Sequence, residues 1–419
     1  MIDWITDLPG NVVDFIGPEI IIATAKVIVV FLILLVTTLL VIWFERRVIA
    51  DMQSRVGPNR WGPFGLLQTL ADGVKLFFKE DFRPAAADKW TFVIAPIMAM
   101  VPSFLAFAVV PLGDHVVIGG HRIDLILTDI NIGILYFLAV GSLGVYGVVL
   151  AGWASGSKYP LIGSVRSTAQ MISYEIALGL SIVPIALVAG SLSTVDVVAA
   201  QAGTYDDIAL FGRDLNFLEG FIPHWFIIQQ WPAFLVFMVA GIAETNRAPF
   251  DLPEAETELV AGYHTEYSGI RFAMFFLGEY VHVVAISAMA VTLFFGGWHG
   301  WNPTFPAAID WLQWIVPIFW FTIKTVAFVY LFVWLRATLP RLRYDRLMWL
   351  GWKRLIPGAL LWIVVTAVLN SDPEEVPTSA RLWVMSAVFA VLLAWVWRGD
   401  PRLKALEPWR REEAGRGAA

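Results

Sequence analysis

Long apolar stretches alternate with shorter polar segments along most of the sequence. A helix needs roughly 20 apolar residues to cross about 30 Å of hydrocarbon. Nine stretches are predicted to span a membrane, the eighth being the shortest: residues 20–44, 90–112, 132–153, 170–190, 226–243, 272–296, 311–335, 355–369 and 381–397. Because lipid offers no partner to an open sheet edge, this pattern predicts an all-α polytopic membrane protein.

The first polar segment, residues 45–82, contains a helical pattern of a different kind. Turn signals at residues 57–59 and 61–63 precede it. Apolar side chains then recur at helical spacing, and polar ones fall opposite: Pro63, Leu66, Leu67, Leu70, Val74, Phe77 and Phe78 against Gln68, Asp72, Lys75 and Lys79. This pattern predicts an amphipathic helix in the membrane interface. It either anchors the loop or admits a lipid-soluble molecule from the bilayer.

Composition and charge agree with a membrane protein and give its orientation. The chain is 58% hydrophobic and 15% charged, which excludes an ordinary soluble domain. Alternate polar segments hold 24 of the 29 Lys and Arg residues: 45–89, 154–169, 244–271, 336–354 and 398–419. Positive residues mark the cytoplasmic side, so the N-terminus is predicted outside and the C-terminus in the cytoplasm. That parity favours nine spans over eight.

The sequence contains no cysteine. This excludes disulfides, c-type haem and thiolate-held iron–sulfur clusters in this chain. Of the six histidines, only His282 lies well inside a predicted span, which argues against a haem held by two facing histidines. No metal site is therefore predicted in this polypeptide.

An acidic segment directly follows the fifth predicted span. It combines Arg247 with five carboxylates: Glu244, Asp251, Glu254, Glu256 and Glu258. Apolar residues between the acids would let the segment bury itself against the membrane helices. Buried, interacting carboxylates do not ionise independently, so they can hold protons near neutral pH. The alternative is a solvated acidic surface.

Ionisable residues also occur within the predicted spans. Glu175 and Glu279 must each face a polar interior or be protonated, which favours a proton relay, whereas Glu175 could also be a hydrogen-bonded structural acid. Lys324 requires a partner acid or a water path. The basic segment 336–353 fits either the ordinary cytoplasmic excess of positive charge or docking to an acidic partner.

Four segments, in this order, resemble one family over residues 20–370. The family is the H subunit of bacterial NADH:quinone oxidoreductase, or respiratory complex I, the counterpart of mitochondrial NADH dehydrogenase subunit 1. The segments read ERRVIADMQSRVGPNRWGPFGLLQTLADGVKLFFKED, GWASGSKYPLIGSVRSTAQMISYE, AETNRAPFDLPEAETELVAGYHTEYSGIRFAMFFLGEY and KTVAFVYLFVWLRATLPRLRYDRLMWLGWKRLIP. The chain departs from the family by a longer loop at 191–225 and an extra C-terminal span with a basic tail. We therefore divide it into a core, 1–370, and an extension, 371–419.

The resemblance implies a place for particular residues. By matching position, one group would lie near the entrance for quinone: Arg46, Arg55, Phe64, Ala71, Asp72 and Lys75. A second group would lie deeper in the quinone chamber or at the junction with the peripheral arm: Arg247, Phe272, Arg336 and Arg341. A third would form a carboxylate path for proton coupling: Glu175, Glu244, Asp251, Glu254, Glu256, Glu258 and Glu279.

The resemblance also implies substrate, partners and location. Quinone, either ubiquinone or menaquinone, would be the substrate, and this chain would bind no cofactor. Iron–sulfur clusters, FMN and NADH would belong to partner subunits, and no nucleic acid is expected. The partners would be the peripheral-arm quinone-site and iron–sulfur subunits, the small A, J and K membrane subunits, and antiporter-like subunits. The location would be the bacterial cytoplasmic membrane.

Three other functions fit parts of the sequence. One is a membrane anchor of a related energy-converting hydrogenase. The complete GPNRWGPFGLLQTLADGVKLFFKED block, with its amphipathic helix, favours a quinone-reducing protein instead. A stand-alone ion transporter usually contains internal repeats, and none is evident here. A passive scaffold between two arms would not need acids within its spans.

Overall fold

The computed structural model describes residues 18–118, 121–203, 209–210, 213–214, 223–251, 260–300 and 314–370. The chain separates into two compact units, Met1–Ala359 and Leu360–Ala419. The described part of the second unit is the end of the last helix. All residues of the site considered below belong to the first unit.

Helices dominate the described residues. In chain order they are α1 Pro18–Met52, α2 Leu67–Phe78, α3 Lys89–Ala106, α4 Gly133–Ala154, α5 Lys158–Ala189, α6 Thr194–Ala200, α7 Phe226–Gln229, α8 Trp231–Glu244, α9 Gly269–Phe294, α10 Ile315–Thr338, α11 Tyr344–Leu350 and α12 Ile356–Leu369. A π-helical turn, Gly351–Leu355, joins α11 to α12, and short 3-10 turns occur at Pro63–Gly65, Phe107–Val109 and Gly262–His264.

Two short antiparallel hairpins accompany the helices. Strand β1, His115–Ile118, pairs with β2, His121–Asp124, so that His115 faces Asp124 and Ile118 faces His121. Strand β3, Ala209–Leu210, pairs with β4, Arg213–Asp214. The prediction of a mainly helical fold is confirmed, and the hairpins are additions that the hydrophobic pattern did not indicate.

Seven helices in the described part of the chain are long and apolar enough to cross a membrane. They are Ile20–Met52, Lys89–Val109, Gly133–Ala154, Lys158–Ala189, Gly269–Phe294, Ile315–Thr338 and Tyr344–Leu369. The predicted ninth span, 381–397, lies outside the described residues. The predicted fifth span, 226–243, is divided between α7 and the 14-residue α8. Pro232, in the first turn of α8, has no N–H to donate to the carbonyl four residues earlier, so the helix is interrupted there.

The fourth span begins earlier than predicted, because polar residues do not end the helix. Segment 152–170, predicted to be a cytoplasmic loop, is helical from Lys158 onward. Hydroxyl groups there bond to carbonyls of the preceding turn: Ser164 Oγ donates to Leu161 O at 3.0 Å, and Thr168 Oγ1 donates to Ser164 O at 2.7 Å. Their polarity is thus satisfied within the helix itself.

Small residues allow the helices to approach closely. A Cβ on Gly147 of α4 would lie 2.5 Å from Ala99 N of α3, and one on Gly163 of α5 would lie 2.8 Å from Gly262 Cα. Helix α9 is enclosed by these elements, and nearly every side chain from Tyr280 to Phe294 is buried. The helix that carries Glu279 and His282 is therefore central to the first unit.

The predicted amphipathic helix is confirmed as α2, Leu67–Phe78. Its apolar side chains are exposed, including Phe77 at 68% and Phe78 at 87%. Its polar side faces the chain, where Arg46 Nη1 of α1 contacts Asp72 Oδ2 at 2.6 Å. The apolar face of α2 is therefore open to lipid or to another subunit.

Candidate functional site

The described part of the acidic segment, residues 244–251, is buried against the helices. Glu244 is 7% exposed, Arg247 8% and Phe250 6%. Gln170 Nε2 of α5 donates to Ala243 O and to Phe250 O, both at 2.8 Å, and so fixes both ends of the turn. A solvated surface is excluded for this part of the segment. Glu254, Glu256 and Glu258 lie outside the described residues.

Arg247 is the centre of a buried group of charges that we call the arginine cluster. Its members are Glu45, Arg247, Glu279, Tyr280 and Arg336. Arg247 Nε lies 2.6 Å from Glu279 Oε1, and Arg247 Nη1 lies 3.7 Å from Glu45 Oε1. The Tyr280 hydroxyl donates to Glu45 Oε2 at 2.7 Å, and Arg336 donates to Glu45 Oε1. The Arg247 guanidinium also lies over the Tyr280 ring, 4.1 Å from its centroid.

The arginine cluster holds its positive charge firmly. Burial opposes the charge of Arg247, but Glu279, Tyr280 and Glu45 outweigh it and raise the pKa of Arg247 above its ordinary value. Two carboxylates, Glu45 and Glu279, face two guanidinium groups, so the charges balance. A buried group of this kind is stable only while its partners remain together.

A second buried group lies deeper among the helices, and we call it the carboxylate–histidine site. It consists of Glu175 of α5, Glu244 of α8 and His282 of α9. His282 Nε2 lies 3.2 Å from Glu244 Oε1, and the Ser142 hydroxyl of α4 donates to Glu175 Oε1. The charges of Glu244 and His282 both act on Glu175. Four helices thus bring two acids and an imidazole to one place.

Two cavities lie beside the two groups. One of about 60 Å³ is lined by Glu244, Asn246, Glu279 and His282, together with Gly141 and Gly144 of α4. Another of about 90 Å³ is lined by Asn246, Arg247, Asp251 and Glu279. Asn246 and Glu279 line both, so they lie between the carboxylate–histidine site and the arginine cluster. A water molecule needs roughly 10–15 Å³ of such a cavity, so each cavity has room for several water molecules.

The residues predicted near the quinone entrance lie along α2 and on the segments that contact or precede it. Trp43 Nε1 donates to Phe64 O at 2.9 Å, and Phe64 has a left-handed backbone with its ring 69% exposed. Arg46 and Asp72 form the ion pair described above. Ala71 and Lys75 are exposed on α2, and Arg55 is exposed beyond the end of α1.

The residues predicted deeper in the chamber separate into different environments. Arg247 and Arg336 meet in the arginine cluster, whereas Arg341 is exposed. Phe272 packs instead against the aromatic rings of His264 and Phe276. Of these four predicted residues, only Arg247 and Arg336 therefore meet.

His264 occupies an aromatic pocket beside the site. Its ring centroid lies 3.8 Å from that of Tyr263 and 5.3 Å from that of Phe275. Burial lowers the pKa of His264 to about 3. This histidine is therefore neutral at physiological pH.

Lys324 donates to backbone carbonyls among the described residues. Its ammonium donates to Phe295 O, Gly297 O and His299 O, just beyond the end of α9, and lies 4.3 Å from the centroid of Trp225. A cation is favourable at the negative end of a helix dipole. Among the described residues its partners are thus carbonyl oxygens, and the prediction of a partner acid or a water path stays a prediction.

Several members of the two groups were not predicted. Glu45 and Tyr280 belong to the arginine cluster, and Ser142 and His282 to the carboxylate–histidine site. For His282 a signal was present: it follows Glu279 by three residues, so both lie on one side of α9. For Glu45 no local signal exists, because Tyr280 lies 235 residues away in sequence.

Comparison with known proteins gives a family for the chain. Residues 25–367 match the family described as NADH dehydrogenase. The chain is 50% identical over 348 residues to the first H subunit of NADH-quinone oxidoreductase in Geobacter metallireducens, a match that covers 83% of this chain and 96% of the relative. It is 51% identical, with the same coverage of both, to the second H subunit of NADH-quinone oxidoreductase in Geobacter sulfurreducens.

Proposed function

Since the chain belongs to the NADH dehydrogenase family, we propose that it is the subunit of a proton-translocating NADH:quinone oxidoreductase that forms much of the quinone chamber. It spans the bacterial cytoplasmic membrane and couples quinone reduction to proton movement. Its partners are the peripheral-arm subunits and the other membrane subunits of the complex. The iron–sulfur clusters, FMN and NADH are held by those partners.

One observation carries this proposal. Ionisable side chains follow one another from Glu45, through Arg247 and Glu279, to Glu244, in ion pairs and along two cavities, and Glu244 interacts electrostatically with Glu175. Charges inside a membrane protein are costly and are usually functional. A scaffold would gain nothing from keeping five such groups out of water.

The quinone side of the proposal rests on the region around α2. The exposed apolar face of α2 provides a route from the lipid, and Phe64 and Trp43 lie at its start. Beyond it the arginine cluster offers fixed N–H donors, which suit the oxygens of a quinone or the carboxylates of a partner subunit.

The proposed coupling is electrostatic. Reduction of quinone draws protons or charge toward the chamber end of the series. A change of charge there alters the free energy of ionising Glu279, then that of Glu244, and then that of Glu175, because these groups interact in a medium of low polarity. Each pKa unit of interaction corresponds to about 1.4 kcal/mol. Several coupled acids therefore carry a useful free energy.

Neutralising Glu244 or Glu175 tests the proposal. Glu244→Gln and Glu175→Gln keep side-chain size, so the complex should assemble. Its NADH:quinone reductase rate and its proton pumping should fall together, by about tenfold or more. Both are measured in inverted membrane vesicles, with assembly followed on native gels.

Asp124→Asn is the matched control, because Asp124 is an exposed acid of the β1–β2 hairpin. It should leave both rates unchanged. If an assembled Glu244→Gln complex also keeps wild-type rates, Glu244 is not part of the coupling path.

Labelling with a photoreactive quinone tests the chamber. Crosslinks are expected at the Trp43–Phe64 contact and on α2, and excess native quinone should suppress them. Labelling confined to other subunits, with none on residues 43–78, contradicts the proposed entrance.

A further inference from the structure

His282 is set apart from the other described histidines by its direct contact with a buried acid inside the helical bundle. Its side chain is 14% exposed, and that of Glu244 is 8% exposed. The 3.2 Å between His282 Nε2 and Glu244 Oε1 is hydrogen-bond distance. No other part of the site provides an imidazole to an acid in this way among the described residues.

The other charged groups near this pair already have partners of their own. On its own helix, Glu279 is already paired with Arg247 at 2.6 Å. From α5, Glu175 faces the pair and contacts the Ser142 hydroxyl of α4. His282 is thus the group nearest to Glu244 that can carry a compensating positive charge, and it does so only when protonated.

A polar opening adjoins the pair. The second carboxylate oxygen, Glu244 Oε2, is buried with no hydrogen-bond partner among the described residues, and so is Asn246 Oδ1. Both residues line the cavity of about 60 Å³. Buried polar atoms generally find a partner, and a cavity of this size admits water to both. Water in this cavity would supply hydrogen-bond partners beside the pair.

We propose that His282 and Glu244 share one exchangeable proton and that His282 is a proton-carrying residue of the coupling path. In one state imidazolium faces carboxylate. In the other, the proton has left Nε2 for Oε1, so that an N–H bond has broken, an O–H bond has formed, and neutral imidazole faces carboxylic acid. The net charge of the pair is the same in both, so the transfer avoids leaving an isolated charge in a medium of low polarity.

This inference rests on the proposed function, because it adds a member to that path. It differs from a structural role for His282 in its dependence on pH. An imidazole that gains and loses a proton in each turnover should leave an inflection in the pH profile of coupled turnover. A residue that only filled space would leave none.

The experiment replaces His282 in the whole complex. His282→Gln and His282→Asn keep polarity and remove the titratable ring. In inverted vesicles we expect an assembled complex whose coupled quinone reduction is about tenfold lower and whose pH profile has lost its inflection. His115→Gln, on the β1–β2 hairpin, is the control and should keep the wild-type profile.

The double variant Glu244→Gln/His282→Gln then tests sharing. If one proton is shared, the double variant loses no more activity than the worse single variant, because either change removes the same function. Losses that multiply would mean two independent groups and would overturn the proposal.

The remaining outcomes separate this inference from the proposed function. A His282→Gln complex with wild-type rate and pH profile overturns the inference alone if Glu244→Gln is impaired. If Glu244→Gln is unimpaired as well, the carboxylate path itself is wrong. Failure of both His282 variants to assemble would assign His282 a structural role and also overturn the inference.

Discussion

The arginine cluster and the carboxylate–histidine site share helix α9 and are buried to a similar degree, yet their chemistry differs. In the arginine cluster, two guanidinium groups neutralise Glu45 and Glu279, and guanidinium does not release its proton in proteins. In the carboxylate–histidine site, the group that can carry a positive charge is an imidazole, which can release its proton. The first group can hold a fixed charge in place, whereas the second can gain or lose one. The coupling path that we propose would use both.

The largest expected effect is on stability, from removing Arg247. Arg247→Gln would leave Glu45 and Glu279 buried without their central partner, and breaking a buried ion pair costs roughly 3–5 kcal/mol. The thermal midpoint of the purified complex and the amount assembled should both fall. Arg247→Lys, which keeps the charge, should recover part of the loss. Equal stability of Arg247→Gln and wild type would show that the cluster is solvated.

Tyr280→Phe removes a single hydrogen bond from the same cluster. The hydroxyl donates to Glu45 at 2.7 Å, and a hydrogen bond to a charged group is worth about 1.5–3 kcal/mol. Thermal unfolding of the complex should report a loss in that range. Tyr330→Phe, at a 44% exposed ring on α10, is the matched control and should be nearly neutral. Equal midpoints for the two variants would contradict the bond.

The histidine in the aromatic pocket sharpens the comparison, because it is buried and forms no ion pair with an acid among the described residues. The pKa of His264 is about 3 in the folded chain, below its ordinary value of 6.5. Below pH ~6.5 the unfolded chain binds a proton at this histidine and the folded chain does not. The contribution of His264 to stability is therefore fully present above pH ~6.5 and decreases as the pH falls toward ~3. By pH ~5 the loss is about 2 kcal/mol.

His264→Phe keeps the ring packing and removes this titration. Thermal midpoints measured from pH ~8 down to ~5 should therefore decline less steeply in His264→Phe than in wild type. Above pH ~7 the two slopes should coincide, which serves as an internal control. Identical slopes at acid pH would show that His264 is not held neutral.

The smallest effect is expected at the exposed ion pair near α2. Arg46 and Asp72 have side chains 44% and 36% exposed. Exposed pairs contribute less than about 1 kcal/mol, and salt weakens them. Arg46→Gln should therefore leave the thermal midpoint almost unchanged. A loss as large as that of Arg247→Gln would remove the distinction between buried and exposed charge on which the comparison rests.

Much of the fold could be predicted because a helix that crosses lipid requires a long run of apolar residues. Seven of the nine predicted spans coincide with long apolar helices. The errors have local causes. Pro232 interrupts an apolar run whose composition alone suggested a span, and hydroxyl groups from Ser164 to Thr168 bond within a helix that their polarity was expected to end.

The site was predictable only where a residue was conspicuous by itself. Glu175, Glu244 and Glu279 stood out as acids in or beside apolar helices. Glu244 and Glu279 line one cavity, and Glu175 interacts electrostatically with Glu244. Glu45 did not stand out, because a charge at the end of a span is common and its partners Tyr280 and Arg336 are distant in sequence. Pairing across helices depends on tertiary packing, which periodicity does not encode.

The ammonium of Lys324 restrains one end of helix α9. By binding three carbonyls just past Phe294, it clamps the far tip of the helix that bears Glu279 and His282. Movement of α9 along its axis relative to α10 would have to break all three hydrogen bonds. Contacts from a neighbouring helix therefore hold this end of α9, and the coupling we propose would run along α9 as a shift of electric field rather than as movement of the backbone.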